Sequence, residues 1–269
     1  MMPCRRLGAA LRGLAAWGLL AALAVVPRQL AAQDTVRVLS YNIRHGAGMD
    51  DSVDLRRAAH VIRAQRPDVV LLQEIDVGTE RTGGVDQARA LAELTGLAYH
   101  AFGRFMDYRG GQYGMAVLSA APILDSTTYV LPAGEEPRSV LAARIRVTPT
   151  APAMMFVGIH LYRTEEERLA QAGRLVEIFA HDTAPVLLVG DFNSQPGGSV
   201  LELLSRHWCV PAKPADAHFT FPADQPAREI DFVLYRPADR FRLLEYRVVD
   251  ERLASDHRPV LAVLVVAGD

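Results

Sequence analysis

The segment PVLLVGDFNS, residues 185–194, sets an aspartate and an asparagine two residues apart directly after a hydrophobic run. Val186, Leu187, Leu188 and Val189 read as a strand buried on both faces, so Asp191 and Asn193 arrive at its tip just past Gly190. Other apolar runs end in the same manner. Residues 39–41 lead to Asn42, residues 69–72 to Gln73 and Glu74, and residues 156–159 to His160. Asp231 follows Ile230 at the start of a run, and Ser255-Asp256-His257 leads into the last one. A carboxylate at such a place costs free energy unless it is paired, hydrogen-bonded or bound to a cation. Four acids (Glu74, Asp191, Asp231 and Asp256) with two amides, two histidines and no strand-end lysine fit a hard divalent cation held by oxygen. Taken singly, an acid or amide at such a place is more often a turn or cap residue, and a histidine a satisfied core-edge one. The inference lies in the repetition.

The elements that would position them are mostly strands. Period-two apolar runs at 36–43, 68–73, 113–118, 140–147, 154–161, 186–189, 230–235, 241–248 and 260–266 give nine strand candidates. Helical periodicity covers 55–65, 87–94, 165–179 and 199–207. The first of these is framed by Asp50, Asp51 and Asp54 and stopped by Pro67; the third opens with Thr164 ahead of three glutamates. Strands outnumber helices without strict alternation, which predicts an α+β layered domain over 33–269 rather than a doubly wound parallel sheet. Strand tips set side by side in a sheet would bring the polar residues together.

Residues 1–32 differ from the rest. Arg5, Arg6 and Arg12 precede an apolar run at 13–26 that is short for a membrane span of about 20 residues, and Ala31-Ala32 offers a cleavage point. This predicts a cleaved export signal and a periplasmic or secreted protein, with an uncleaved anchor as the alternative. Cleavage removes four arginines and leaves 25 basic against 31 acidic residues, a mildly acidic domain with Cys209 as its one cysteine and Lys213 as its one lysine. Neither an internal disulfide nor a basic surface for gripping duplex DNA is expected from such a chain.

The segments LSYNIRHG (39–46), PDVVLLQEID (67–76), QYGMAVLS (112–119), VGIHL (157–161), VGDFNSQP (189–196), EIDFVLY (229–235) and SDHRPVLA (255–262) resemble the ordered motif series of the endonuclease/exonuclease/phosphatase superfamily. This family of metal-dependent phosphodiesterases includes pancreatic-type deoxyribonuclease, abasic-site endonucleases, neutral sphingomyelinases and inositol polyphosphate 5-phosphatases. The resemblance implies a four-layer α/β/β/α sandwich of two mixed β-sheets with the active site at one end. It also implies roles. Glu74 would be the principal Mg2+ ligand, with Asn42 beside it, Asp256 a candidate to complete the site, and Mn2+ a substitute metal. Asp191 would orient or deprotonate the attacking water, and Asn193 would hold the phosphate. His257 would lie beside the scissile phosphate, oriented by Asp231, and His160 matches a second histidine of the deoxyribonuclease-like branch. Arg138 resembles an arginine near the phosphate, and its plain alternative is a surface arginine at a strand start. Which histidine acts as acid, base or clamp is left open by the resemblance.

The motifs identify the chemistry and leave the substrate open. Two glycine-rich polar segments, TERTGGVDQ (79–87) and DYRGGQY (107–113), are candidate recognition loops, and Arg44, His45, Arg81, Arg109, Tyr113 and Tyr162 are candidate contacts for a headgroup. Their GGVDQ and GGQYG signatures resemble a bacterial branch likened to the C-terminal domains of proteins in glycosylphosphatidylinositol-lipid remodelling, a fold-level pointer only. An acidic, exported monomer acting on a lipid headgroup or small phosphodiester is the expectation, with peripheral membrane contact where the substrate is a lipid. A secreted nuclease is the alternative. A catalytically silent binding module is a third reading, and it would be expected to lack one of Glu74, Asp191, Asp231 or His257, all of which are present.

Overall fold

Alternating side chains sort the strands of this protein onto two sheets. The structure, a computed structural model, describes residues 35–132 and 134–267; the predicted export signal lies outside them. In chain order the strands are β1 (Thr35–Asn42), β2 (Val69–Val77), β3 (Tyr99–Tyr108), β4 (Gly111–Ser119), β5 (Ile123–Val130), β6 (Ser139–Ile145), β7 (Met154–His160), β8 (Val186–Asp191), β9 (Asp231–Arg236), β10 (Phe241–Val248) and β11 (Val260–Val266). The helices are α1 (Leu55–Gln65), α2 (Gln87–Thr95), α3 (Glu165–Phe179) and α4 (Ser199–Ser205). One sheet has six strands in the order β10-β11-β1-β2-β4-β3 and the other five in the order β5-β6-β7-β8-β9. Both are mixed: β1 with β2 and β7 with β8 are the parallel pairs.

Three apolar layers follow from the alternation. Val36, Val38, Val69 and Leu71 on one face meet Phe156, Leu187, Val189 and Val233 between the sheets. The opposite face of the first sheet, with Leu39, Tyr41, Val70 and Leu72, packs on Ala58, Ile62 and Leu91 of α1 and α2. The outer face of the second sheet, with Val157, Ile159, Val186 and Leu188, packs on Ala172, Leu175, Val200 and Leu204 of α3 and α4. This is the four-layer α+β sandwich. Asp54 caps α1 by accepting from Arg56 N, and Asp86 caps α2 by accepting from Arg89 N. Thr164 stands at the N-cap of α3, but its hydroxyl donates to the Glu167 carboxylate instead of accepting from the backbone.

Two strands depart from the sequence expectation. β3 and β5 lie at the edges of their sheets, and β5 is so exposed that residues 124–128 all face water, so apolar alternation is weak there. The segment 107–113 is correspondingly the tight β3–β4 hairpin. α4 stops at Ser205, two residues short of the periodicity.

Candidate active site

Strand register gathers the polar tips at one end of the sandwich. In the first sheet Asn42 lies opposite Gln73, and Ser40 opposite Val260, so the ends of β1, the middle of β2 and the entry to β11 meet. In the second sheet His160 lies opposite Asp191, and Asp191 opposite Asp231. Asn42 bridges the two: its Nδ2 donates to Glu74 Oε1 at 3.1 Å and to Asp191 Oδ2 at 3.3 Å.

Local backbone irregularities aim the acids. Glu74 sits at a β-bulge between Gln73 and Ile75 with φ 59°, which turns it out of the alternation of β2. Gly190 has φ 150°, and a Cβ there would stand 2.0 Å from the Ile159 carbonyl oxygen. The glycine thus permits close approach of β7 to β8 just before Asp191. Asn193 takes a left-handed φ of 48°, its backbone N–H donates to Asp191 Oδ1 at 2.8 Å, and its side-chain amide donates to the Leu161 carbonyl at 2.9 Å.

His257 occupies the space between the two aspartates. Its Nδ1 lies 3.0 and 3.2 Å from the two Asp231 carboxylate oxygens, and its Nε2 lies 3.7 Å from Asp191 Oδ2. Burial pulls the imidazole pKa down, but Asp231 and then Asp191 more than offset it and raise it to about 10. His257 is therefore an imidazolium at neutral pH. Asp191 is pushed up to about 7, chiefly by burial, with Asp231 and Glu74 adding repulsion against the opposing pull of His257. His160 Nε2 is 3.4 Å from Asp191 Oδ2, yet this imidazole is held well below its ordinary pKa by burial and by Arg138 and His257. The two histidines thus differ in charge: one cationic, one neutral.

Arg138 is buried, contrary to its surface alternative. Its guanidinium lies between the rings of Phe105 at 4.9 Å and Tyr162 at 5.5 Å and pairs with Glu136. Arg44 is directed instead to Asp51 at 2.8 Å, and Tyr162 donates its hydroxyl to Glu135 at 2.8 Å. Three residues given no role by the sequence complete the site. Ser255 Oγ donates to the Asn42 carbonyl at 2.7 Å and accepts from His257 N, Phe221 stacks against the His257 ring at 4.8 Å, and Lys213 Nζ donates to the Asp231 carbonyl at 2.8 Å. Ser255 opens the SDHRPVLA segment and Lys213 is the one lysine of residues 33–269, but Phe221 lies on a loop whose course sequence does not disclose.

The donor set suits a divalent cation. The half-buried Glu74 carboxylate is raised by desolvation against the opposing hydrogen bond from Asn42, and no ion pair reaches it among the described residues. Asp256 adds negative charge nearby. Asp191, Asp231 and His257 also bring ligand atoms within 4.8 Å of one another. In that trio, however, both Asp231 oxygens face the imidazolium, and a protonated ring offers no lone pair. The carboxylate lacking a cation is Glu74, which favours Glu74, Asn42 and Asp256 as the holding residues.

The sequence model of the Endonuclease/Exonuclease/phosphatase family matches residues 39–257. No curated protein sequence matches. Among solved structures, an endonuclease/exonuclease/phosphatase from Beutenbergia cavernae is similar with a TM-score of 0.70 and 25% identity, over 87% of this chain and 72% of that one. A mannosyl-6-phosphatase of Bacteroides thetaiotaomicron shares the fold with a TM-score of 0.67 at 18% identity, over 86% and 99%. The catalytic domain of human Nocturnin, with a bound sulfate anion, does so with a TM-score of 0.63 at 17% identity, over 87% and 95%.

Proposed function

Because the chain belongs to the endonuclease/exonuclease/phosphatase family of metal-dependent phosphoric ester hydrolases, we propose that it is an exported, Mg2+-dependent hydrolase of phosphodiester or phosphomonoester bonds acting on a lipid headgroup or another small phosphoester. The observation that carries the reading is the meeting of Glu74 and Asp191 on one amide, Asn42, with the Asp231–His257 pair set against Asp191. A divalent cation held by Glu74, Asn42 and Asp256 would neutralise phosphoryl charge and acidify water.

The chain's own groups supply the rest. His257, kept protonated by Asp231, presents a positive N–H donor where negative charge grows on the phosphoryl group. Asp191 is oriented before substrate arrives, with Oδ1 held by Asn193 N and Oδ2 by Asn42 Nδ2. Its raised pKa makes it a base matched to neutral water chemistry. Arg138, clamped between two rings, and the Asn193 side chain are donors for the remaining phosphoryl oxygens.

The acid excess of residues 33–269 and their single, buried lysine support a small substrate over duplex DNA. The fold shared with a mannosyl-6-phosphatase is the reason to include monoesters. The test is the purified protein against bis-p-nitrophenyl phosphate, a phospholipid panel, sugar phosphates and plasmid DNA, with Mg2+ and with EDTA. Hydrolysis of small esters that stops in EDTA and in Asp191→Ala is expected. Activity indifferent to both would overturn the mechanism, and cleaved plasmid beside intact small esters would make the enzyme a nuclease. For export, N-terminal sequencing of the secreted or periplasmic protein is expected to begin at Gln33.

A further inference from the structure

The segment TERTGGVDQ encloses a buried carboxylate. Asp76, two residues beyond Glu74 on β2, is fully buried and accepts from Arg81 Nε at 2.6 Å, Arg81 Nη2 at 2.8 Å and the Thr79 hydroxyl at 2.7 Å. Gln87, fully buried at the start of α2, accepts from Asp76 N at 3.0 Å and donates to the His45 carbonyl at 2.7 Å. These bonds tie Arg81 and His45 to the strand that carries Glu74. Arg81 lies over the rings of Tyr108 at 4.7 Å and Tyr113 at 5.4 Å, and Tyr113 is the cross-strand partner of Asp76. His45 is held in a left-handed conformation with φ 45°.

This construction leaves Arg81 Nη1, the Tyr113 hydroxyl and both ring nitrogens of His45 without a partner among the described residues; of the two ring nitrogens Nδ1 is buried, which leaves Nε2 as the one a ligand can reach. The group borders the reaction centre, since Tyr113 feels the charge of Glu74 and Arg138, and His45 that of Asp256. It carries little net charge. Asp76 cancels Arg81, and burial together with Arg81 drives the His45 pKa down to about 4, so the ring is neutral. Arg109 stands exposed beyond Tyr108, at the hairpin tip.

The geometry points to a hydroxyl-binding subsite formed by Arg81, His45 and Tyr113 beside Glu74, which takes the alcohol portion of the substrate as an uncharged polyol. A hydroxyl both donates and accepts, matching a guanidinium edge, a phenol and a neutral imidazole. An alkyl chain would strand all three groups, and a second phosphate would find no surplus positive charge on them. The inference rests on reading the Glu74 end of the sandwich as a phosphoester site, and the experiment separates the two.

Glucose 6-phosphate, n-hexyl phosphate and 1,6-hexanediol bisphosphate, each as its non-hydrolysable methylene phosphonate, are titrated calorimetrically into the wild-type protein with Mg2+. The glucose analogue is expected to bind about 10-fold more tightly than the hexyl analogue, with the bisphosphonate no tighter than the hexyl one. Arg81→Met and Tyr113→Phe should each narrow the gap to about twofold. Arg81→Met strips Asp76 of its partner, so Tyr113→Phe, which removes one oxygen and keeps the ring, decides the matter if the first variant fails to fold. Equal binding of all three, tightest binding of the bisphosphonate, or an unchanged gap in Tyr113→Phe overturns the subsite. Bis-p-nitrophenyl phosphate hydrolysis is run in parallel: its absence with the binding order intact overturns the catalytic reading and leaves the subsite standing.

Discussion

Lys213→Met is expected to destabilise this protein strongly, and adding Glu229→Leu is expected to restore most of the loss. The Lys213 side chain is fully buried, its ammonium 2.8 Å from Glu229 Oε1 and 2.8 Å from the Asp231 carbonyl, above the rings of Phe232 at 4.1 Å and Tyr246 at 4.9 Å. Removing the ammonium alone leaves a buried carboxylate uncompensated, which costs about 3–5 kcal/mol. In a domain of this size about 1 kcal/mol moves Tm by roughly 2–4 °C, so the single variant should melt roughly 6–20 °C lower. The double variant replaces the pair with apolar volume and should return to within about 1–2 kcal/mol of wild type. Activity should not return with it, because the Asp231 carbonyl has lost its donor at the first residue of β9. Urea and thermal unfolding of the four proteins of the cycle, with kcat alongside, measure both effects. A single variant within about 1 kcal/mol of wild type, or a double variant no more stable than the single, would refute the reasoning.

Other outcomes follow from the same geometry. Asp231→Asn removes the charge that keeps His257 protonated and should lower kcat by roughly 100- to 1000-fold with KM little changed, measured on bis-p-nitrophenyl phosphate. Glu74→Gln should abolish the stabilisation conferred by Mg2+, about 2.7 kcal/mol at 100 times Kd in the wild type, while leaving the metal-free protein as stable or more so because its carboxylate is desolvated. Gly190→Ala should cost at least about 2 kcal/mol, since its Cβ would meet the Ile159 carbonyl at 2.0 Å; a Tm near wild type would contradict the close approach of β7 to β8. In EDTA, stability should fall as pH rises from about 6.5 to about 10. The folded-state pKa of His257 lies above its ordinary 6.5, so its contribution is complete below 6.5 and gone above 10. Denaturation midpoints that stay flat over that window would count against the Asp231–His257 pairing.

The central strands and all four helices were legible in residue order because burial imposes a period on side chains. Val69, Val70, Leu71 and Leu72 announce a strand wherever the chain goes, and Asp54 announces a helix start. β3 and β5 were not legible, because an edge strand packs on few neighbours and its water-facing residues carry no apolar signal. For the site, the residue types and their place at strand tips were enough to call for a cation, and the oriented histidine came from the resemblance of the motifs to the family. Their meeting was not contained in the local pattern: Asn42 touches Asp191 across 149 residues, and His257 touches Asp231 across 26, through sheet register. Charge states belong to the same category. His160 and His257 are the same residue type, yet one is neutral and one cationic, because a titration is set by the buried charges that the fold brings near. The sequence by itself determined which chemistry this protein carries, since side-chain types and backbone periodicity are local. Tertiary structure alone decided that Arg138 is buried, that Lys213 backs Asp231 and that Asp76 anchors Arg81, since each depends on which distant segment occupies the neighbouring space.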